Sequence, residues 1–326
     1  MWSFVFPGQG SQALGMGQWL YNQFPTAKKV FQEASDAISL DMAKLCFESS
    51  DAELALTANT QPALLTVSTA TQKVIQEKLN IPLKLTAGHS IGEYASLVLA
   101  GVMPFATAMK AVRLRGESMQ AAVPVGLGGM VATLGLDEKQ VEILCHWAEQ
   151  ASGEKPVQPA NFNCPGQIVL SGNLKALNFM RENFKPETVD AEAFKEARRI
   201  KFIPLNVSAP FHCSMMKPAE LAMAKFFENV TFQKAQIPVV QNLTAVAVTE
   251  PSVLKQNLVA QVSGSVRWTQ SVQFLSGQGV TQYVECGQGT VLKGLIKKID
   301  ENAITHNVQS LDDLTSLEAA FKASGH

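Results

Sequence analysis

The chain alternates short apolar runs with amphipathic stretches. Residues 3–6, apolar after Ser3, run straight into Pro7-Gly8, which predicts a short buried strand. Helical periodicity follows over 11–22, 26–38 and 60–79, with Pro62 expected in the first turn of the third helix, where a missing N–H costs little. Residues 83–87 read as a strand that stops at Gly88, and helices resume over 91–100 and 104–122.

The texture then changes. Gly126, Gly128 and Gly129 mark a hinge-like stretch. After it come a strand (130–134), a helix (137–151), a strand pair around 157–172, a helix (174–183) and a strand (201–207). This β-α-β-β-α-β order is the ferredoxin-like pattern. Residues 126–204 are therefore expected to form a small inserted domain, and 1–125 with 205–326 the main one. Residues 184–200 are polar and loop-like, with a short helix over 190–199 as the alternative. From Met215 the strand-helix alternation returns and ends in a helix near 313–323. Alternation of this kind predicts an α/β fold with a parallel sheet covered on both faces.

Composition narrows the function. Hydrophobic residues make up 46% of the 326, enough for a sizeable core, and the net charge of −1 argues against bulk attraction to nucleic acid or to a membrane surface. No apolar run reaches the roughly 18 residues of a membrane span. The first residues lack a basic segment, and their apolar run is too short for a secretory signal. Five scattered cysteines without a CxxC pair argue against a disulfide framework or a zinc site, and predict a reducing, cytoplasmic setting.

The sharpest chemical feature is Gly88-His89-Ser90-Ile91-Gly92 between a predicted strand and a predicted helix. This is G-x-S-x-G in the setting of a nucleophile elbow, where the chain turns so sharply that small residues must flank the serine. The helix N-terminus behind it favours developing negative charge. A serine needs a base, and the chain has His89, His146, His212, His306 and His326. His89 lies within the turn, His146 on a helix of the small domain, and His326 is the last residue. His212, at a strand-to-helix crossover, and His306, after a late strand as in hydrolases, remain. A histidine at a crossover is more often structural than catalytic.

Two other stretches carry candidate chemistry. In Pro7-Gly8-Gln9-Gly10 the flanking glycines allow close approach to a ligand, so the Gln9 N–H can pair with that of Ile91 to hold an oxyanion; a plain polar turn is the alternative. Arg113 and Arg115 lie two apart and so face different sides of one helix, one outward and one inward.

Together these stretches resemble the malonyl-CoA:acyl carrier protein transacylases. The resemblance rests on Phe6-Pro7-Gly8-Gln9-Gly10-Ser11-Gln12, on Gly88-His89-Ser90-Ile91-Gly92-Glu93-Tyr94 and on Arg113-Leu114-Arg115-Gly116. Asn161-Phe162-Asn163-Cys164-Pro165-Gly166-Gln167, Ser208-Ala209-Pro210-Phe211-His212-Cys213 and Val284-Glu285-Cys286-Gly287 complete it, in family order. It implies an α/β-hydrolase-like domain with a ferredoxin-like insert, and malonyl transfer through Ser90. His212 would be the base, oriented by a backbone carbonyl at Gln261, and the N–H groups of Gln9 and Ile91 would form the oxyanion hole. Arg115 would grip the malonyl carboxylate, Asn163 would be a polar pocket residue, and Phe211 would keep the substrate's α-carbon unbranched. Malonyl-CoA and acyl carrier protein would be the partners of a monomer that needs no cofactor. Two departures stand out: Gln288 follows Gly287 where the family often has proline, and the loop 184–200 is long.

Other readings remain at this point. The same chemistry can load a polyketide carrier protein, and a hydrolase would use His306 and release free malonate. A carrier is expected to meet a local basic patch, either Lys293, Lys297 and Lys298 or Arg198, Arg199 and Lys201.

Overall fold

The computed structural model describes residues 1–325, and His326 lies outside them. Its larger sheet joins β1 (Trp2–Phe6), β2 (Leu83–Gly88), β7 (Val239–Val240), β8 (Ala247–Val248), β9 (Gln282–Glu285) and β10 (Ile304–Asn307). The order is β10-β9-β1-β2-β7-β8, parallel except for the last pair. All five residues of β1 are buried, as a strand covered on both faces requires.

The second sheet joins β3 (Gly128–Leu134), β4 (Val157–Cys164), β5 (Gln167–Asn173) and β6 (Lys201–Pro204) in the order β4-β5-β3-β6, antiparallel throughout. Helices Glu138–Ser152 and Leu174–Asn183 pack on it around a core that includes Val131, Leu144, Leu170 and Met180. The small sheet is tied to the rest of the chain at β4, where Phe162 N–H donates to Val266 O and Val266 N–H to Ala160 O, Val266 lying just before the helix Trp268–Gly277.

Several elements differ from expectation for local reasons. The helix expected over 11–22 is a set of turns followed by Gln18–Gln23, because Gly15 (φ 82°) and Gly17 (φ 77°) adopt left-handed backbone that ends helical winding. The third helix starts at Thr57, which puts Pro62 inside it and not in its first turn. Proline cannot donate to the carbonyl four residues back. That carbonyl, Ala58 O, accepts from Arg113 Nη1 at 3.1 Å, so the outward arginine repairs the break. Short helices at Met42–Phe47 and Asp51–Ala55, capped by Asp41 and Ser50, fill a stretch with no clear periodicity. The last strand of the small sheet ends at Pro204, short of 207. Within 184–200 the helix is Pro186–Val189, earlier than 190–199, and Phe194 is buried against the small sheet's core.

Candidate active site

The site begins where β2 meets the helix Gly92–Leu99. A side chain on Gly88 would stand 2.0 Å from Gly92, and one on Gly92 would stand 2.2 Å from Phe6 O, so both positions admit only glycine. Ser90 between them has φ 52°, a strained value for a residue with a side chain. The surrounding side chains hold that strain in place. Asn242 accepts from Ser90 N–H through Oδ1 and donates to Gly88 O through Nδ2, both at 2.6 Å. Gln261 Nε2 donates to Ser90 O at 3.0 Å. The buried Glu93 carboxylate anchors this layer: it accepts from Asn242 N–H at 2.8 Å and from the side chains of Gln241 and Gln261, each at 3.1 Å. Burial pushes its carboxyl up, while these donors and Arg115 pull it back.

His212 meets Ser90 from the crossover after β6, itself with φ 59°. Its Nε2 lies 2.7 Å from Ser90 Oγ. Its Nδ1 faces two carbonyl oxygens, Gln261 O at 2.9 Å and Gly264 O at 3.1 Å. Carbonyls only accept, so Nδ1 carries the proton and Nε2 is left to accept from the Ser90 hydroxyl. Burial pushes the imidazole down to about 3, and the Arg115 charge adds to the effect. It is thus neutral near pH 7, with Nε2 placed to accept the Ser90 proton as the hydroxyl attacks.

Arg115 completes the centre. It is fully buried, and none of the ion pairs among the described residues includes it. Nη1 donates to Gln61 Oε1 at 2.9 Å, Nη2 to Ser90 Oγ at 3.2 Å and to Gln261 Oε1 at 3.0 Å, and Nε has no partner. Arg115 feels the buried Glu93 charge only through Gln261 and makes no direct ion pair among the described residues, so its guanidinium, beside a cavity, can take an anion.

That cavity, about 360 Å³, lies between the two sheets, with Gln9, Ser90 and Arg115 on one side and Met130 and Asn161 on the other. Neither the Gln9 nor the Ile91 N–H has a hydrogen-bond partner among the described residues, so both are free to meet an oxyanion. Phe211, 7% exposed, lines the cavity. Asn163 does not. Its Oδ1 is bonded to Nε2 of His89, a lining residue, at 2.9 Å, and Asn161 lines the space in its place. Register shifts in β4 break the strict alternation that would have placed them alike. His306 is remote: it sits on β10, stacked on Trp2 and bonded to Gln282, with β9 and β1 between it and β2. His146 lies on the small unit's helix.

The sequence reading missed Asn242, Glu93, Gln61 and Asn161. Glu93 and Asn161 lie inside stretches already singled out, whereas nothing local marks Asn242 or Gln61.

A serine on a strained strand-to-helix turn, bonded to a neutral imidazole and set in an α/β sheet, defines a serine acyl-transfer enzyme. The chain belongs to the acyl transferase domain family, whose model matches residues 3–298. The Bacillus subtilis malonyl CoA-acyl carrier protein transacylase is 42% identical over 304 residues, 93% of this chain and 92% of that protein. The Bartonella henselae acyl-carrier-protein-S-malonyltransferase structure is 38% identical, with a TM-score of 0.89 over 98% of this chain and 99% of that one. A type II PKS acyl-carrier protein in complex with its malonyl-transacylase matches with 39% identity and a TM-score of 0.89, over 98% of this chain and 99% of that one.

Proposed function

We propose that the protein moves a malonyl group from malonyl-CoA to the phosphopantetheine thiol of an acyl carrier protein, through a malonyl ester on Ser90. The observation that carries this reading is Arg115, a buried cation without a carboxylate partner whose Nη2 lies 3.2 Å from the Ser90 oxygen. An acyl group that ends in a carboxylate supplies the direct ion-pair partner, and a planar guanidinium grips it through two parallel hydrogen bonds.

In the first half-reaction Ser90 Oγ attacks the thioester carbonyl carbon and its proton passes to His212 Nε2. The oxyanion forms against the N–H groups of Gln9 and Ile91, and coenzyme A leaves with the proton from His212. In the second, the carrier's thiol gives its proton to His212 and attacks the ester, and Ser90 recovers its hydrogen. The carbonyls of Gln261 and Gly264 hold the imidazole throughout, a task often given to a carboxylate. Both steps exchange an acyl group between oxygen and sulfur and call for no cofactor. Met119, Met130 and Phe211 give the cavity an apolar lining that restricts water, which favours transfer over hydrolysis.

A panel of acyl-CoA substrates tests the reading. Arg115→Ala should lose malonyl transfer far more than acetyl transfer, and Phe211→Ser should narrow the gap between malonyl- and methylmalonyl-CoA by part of the ~1–3 kcal/mol that one methyl is worth. Equal loss of malonyl and acetyl transfer in Arg115→Ala would make that residue structural.

We take residues 126–204 as a unit inserted between 1–125 and 205–326, since their core is separate. The protein is proposed to act as a monomer in the cytoplasm, where five buried free cysteines are at home. No helix among the described residues is long and apolar enough to cross a membrane. The carrier is proposed to dock on Lys293, Lys297 and Lys298 of helix Val291–Ile299, which starts close to Gly289 and Ser11, beside Gln12 of the cavity lining. Arg198, Arg199 and Lys201 are the other exposed cluster. Charge reversal at Lys293 and Lys297 should slow transfer to carrier and leave self-acylation intact, with rising salt doing the same. Equal effects on both half-reactions would exclude this surface. Fatty-acid and polyketide carriers are separated by assaying both; the matched PKS complex keeps the polyketide case in view.

A further inference from the structure

A guanidinium offers two forks of parallel N–H groups, and each includes a hydrogen on Nη2: one pairs it with Nε–H, the other with an Nη1 hydrogen. In Arg115 both Nη2 hydrogens are engaged, on Ser90 Oγ and on Gln261 Oε1. A carboxylate therefore cannot take either fork without displacing one of these oxygens. Gln261 is fully buried and does not line the cavity, whereas Ser90 does. The contact open to an incoming carboxylate is the one to Ser90; for the second prong the guanidinium has Nε, buried and unpartnered among the described residues, or Nη1, which now donates to Gln61.

We propose that Arg115 restrains Ser90 in the free protein, and that the substrate's own carboxylate releases the restraint by taking the guanidinium fork. This rests on the carboxylate-binding reading above and adds to it: the carboxylate switches on the nucleophile as well as anchoring the substrate. The chemistry follows from the hydroxyl's inventory. Ser90 Oγ has one hydrogen, which goes to His212 Nε2, and two lone pairs, one of which accepts from Arg115. A hydrogen bond from a cation draws density from the oxygen that must attack. When the fork turns to a carboxylate, that pair is freed, and the charge that lowers the proton affinity of His212 is neutralised. An acyl group without a carboxylate, such as acetyl, leaves the restraint in place.

The restraint predicts activation by a separate anion. Acetyl-CoA and formate together carry the two pieces of a malonyl group, and formate fits where the carboxylate binds. Formation of acetyl-Ser90 is followed by rapid quench and intact-protein mass, with sodium chloride matching ionic strength. Formate should accelerate acetylation of the wild-type protein by about tenfold, what one hydrogen bond to a charged group is worth, and compete with malonyl-CoA in the same concentration range. In Arg115→Ala, formate should have no effect, and the acetylation rate constant at saturating acetyl-CoA should exceed that of the wild type. The proposal is overturned if formate competes with malonyl-CoA without speeding acetylation, or if Arg115→Ala acetylates no faster than wild type at saturation. Either result leaves the malonyl reading standing as long as Arg115→Ala loses malonyl transfer far more than acetyl transfer; that reading fails if the two are lost alike.

Discussion

On the large-sheet side of the cavity, Ser90 N–H and C=O, Gly88 O, His212 Nδ1 and both Glu93 oxygens all have partners. On the small-sheet side, Asn161 is 7% exposed and its side-chain amide makes no hydrogen bond among the described residues. The backbone of the serine turn and the base are fixed before any ligand arrives, as groups that must aim an oxygen and a proton acceptor require, while the Gln9 and Ile91 N–H groups and Arg115 Nε on the same wall stay unpartnered among the described residues. The second wall keeps polar capacity in reserve for whatever enters. Aim is thus built into one wall together with the groups that would meet the oxyanion and the carboxylate, while the other wall offers the Asn161 amide to the rest of the acyl-thioester arm.

The largest effect should come from the fixed wall. His212→Ala should slow acylation by ~10²–10⁴, while His306→Ala stays near wild type; the reverse ranking would favour a hydrolase. The pH profile sharpens the point. With the imidazole pushed down to about 3, self-acylation should show no descending limb near 6.5 and fall only in stronger acid. For folding, the same shift makes the chain less stable as pH drops from 6.5 towards 3, because the unfolded chain binds a proton there that the folded chain refuses. An acid limb at the ordinary histidine value would contradict the buried, neutral base.

A smaller effect should separate the walls by kind. Asn242→Ala removes the amide that spans Gly88 and Ser90, and should lower kcat by up to roughly 10²-fold with little change in KM, since it misplaces the nucleophile without touching substrate. Asn161→Ala should instead raise KM by up to about tenfold with kcat nearly kept, the mark of a contact made equally in ground and transition states. If both substitutions shift the same parameter, the division between walls is wrong.

What the sequence showed depended on how local each cause is. The elbow was legible because its constraint lies within five residues: the glycines that leave 2.0 Å and 2.2 Å clearances are the glycines of the motif. The order of the small sheet was legible from its run of elements. Asn242 was not, because its bond to Ser90 spans 152 positions and an asparagine before a turn has many ordinary uses. Gln261 entered only through the resemblance, which implied its carbonyl; its side chain also reaches Ser90 O, Glu93 and Arg115. Leu14, Met16 and Leu20 suited a helix over 11–22, but the backbone at Gly15 and Gly17 overrode that spacing. Asn163 entered only through the resemblance; regular alternation would put Asn161 and Asn163 on one face, and only the irregular register of β4 separates them.

The most direct test of the account is the mass of the intact protein after brief mixing with malonyl-CoA in the absence of carrier. The wild-type chain should gain one malonyl group, mapped by peptide analysis to Ser90, and lose it when a carrier with a phosphopantetheine thiol is added. Ser90→Ala should gain none. A malonyl adduct on the Ser90→Ala protein, or one that maps to Cys213 beside the base, would contradict the assignment of Ser90 as the residue that carries the acyl group.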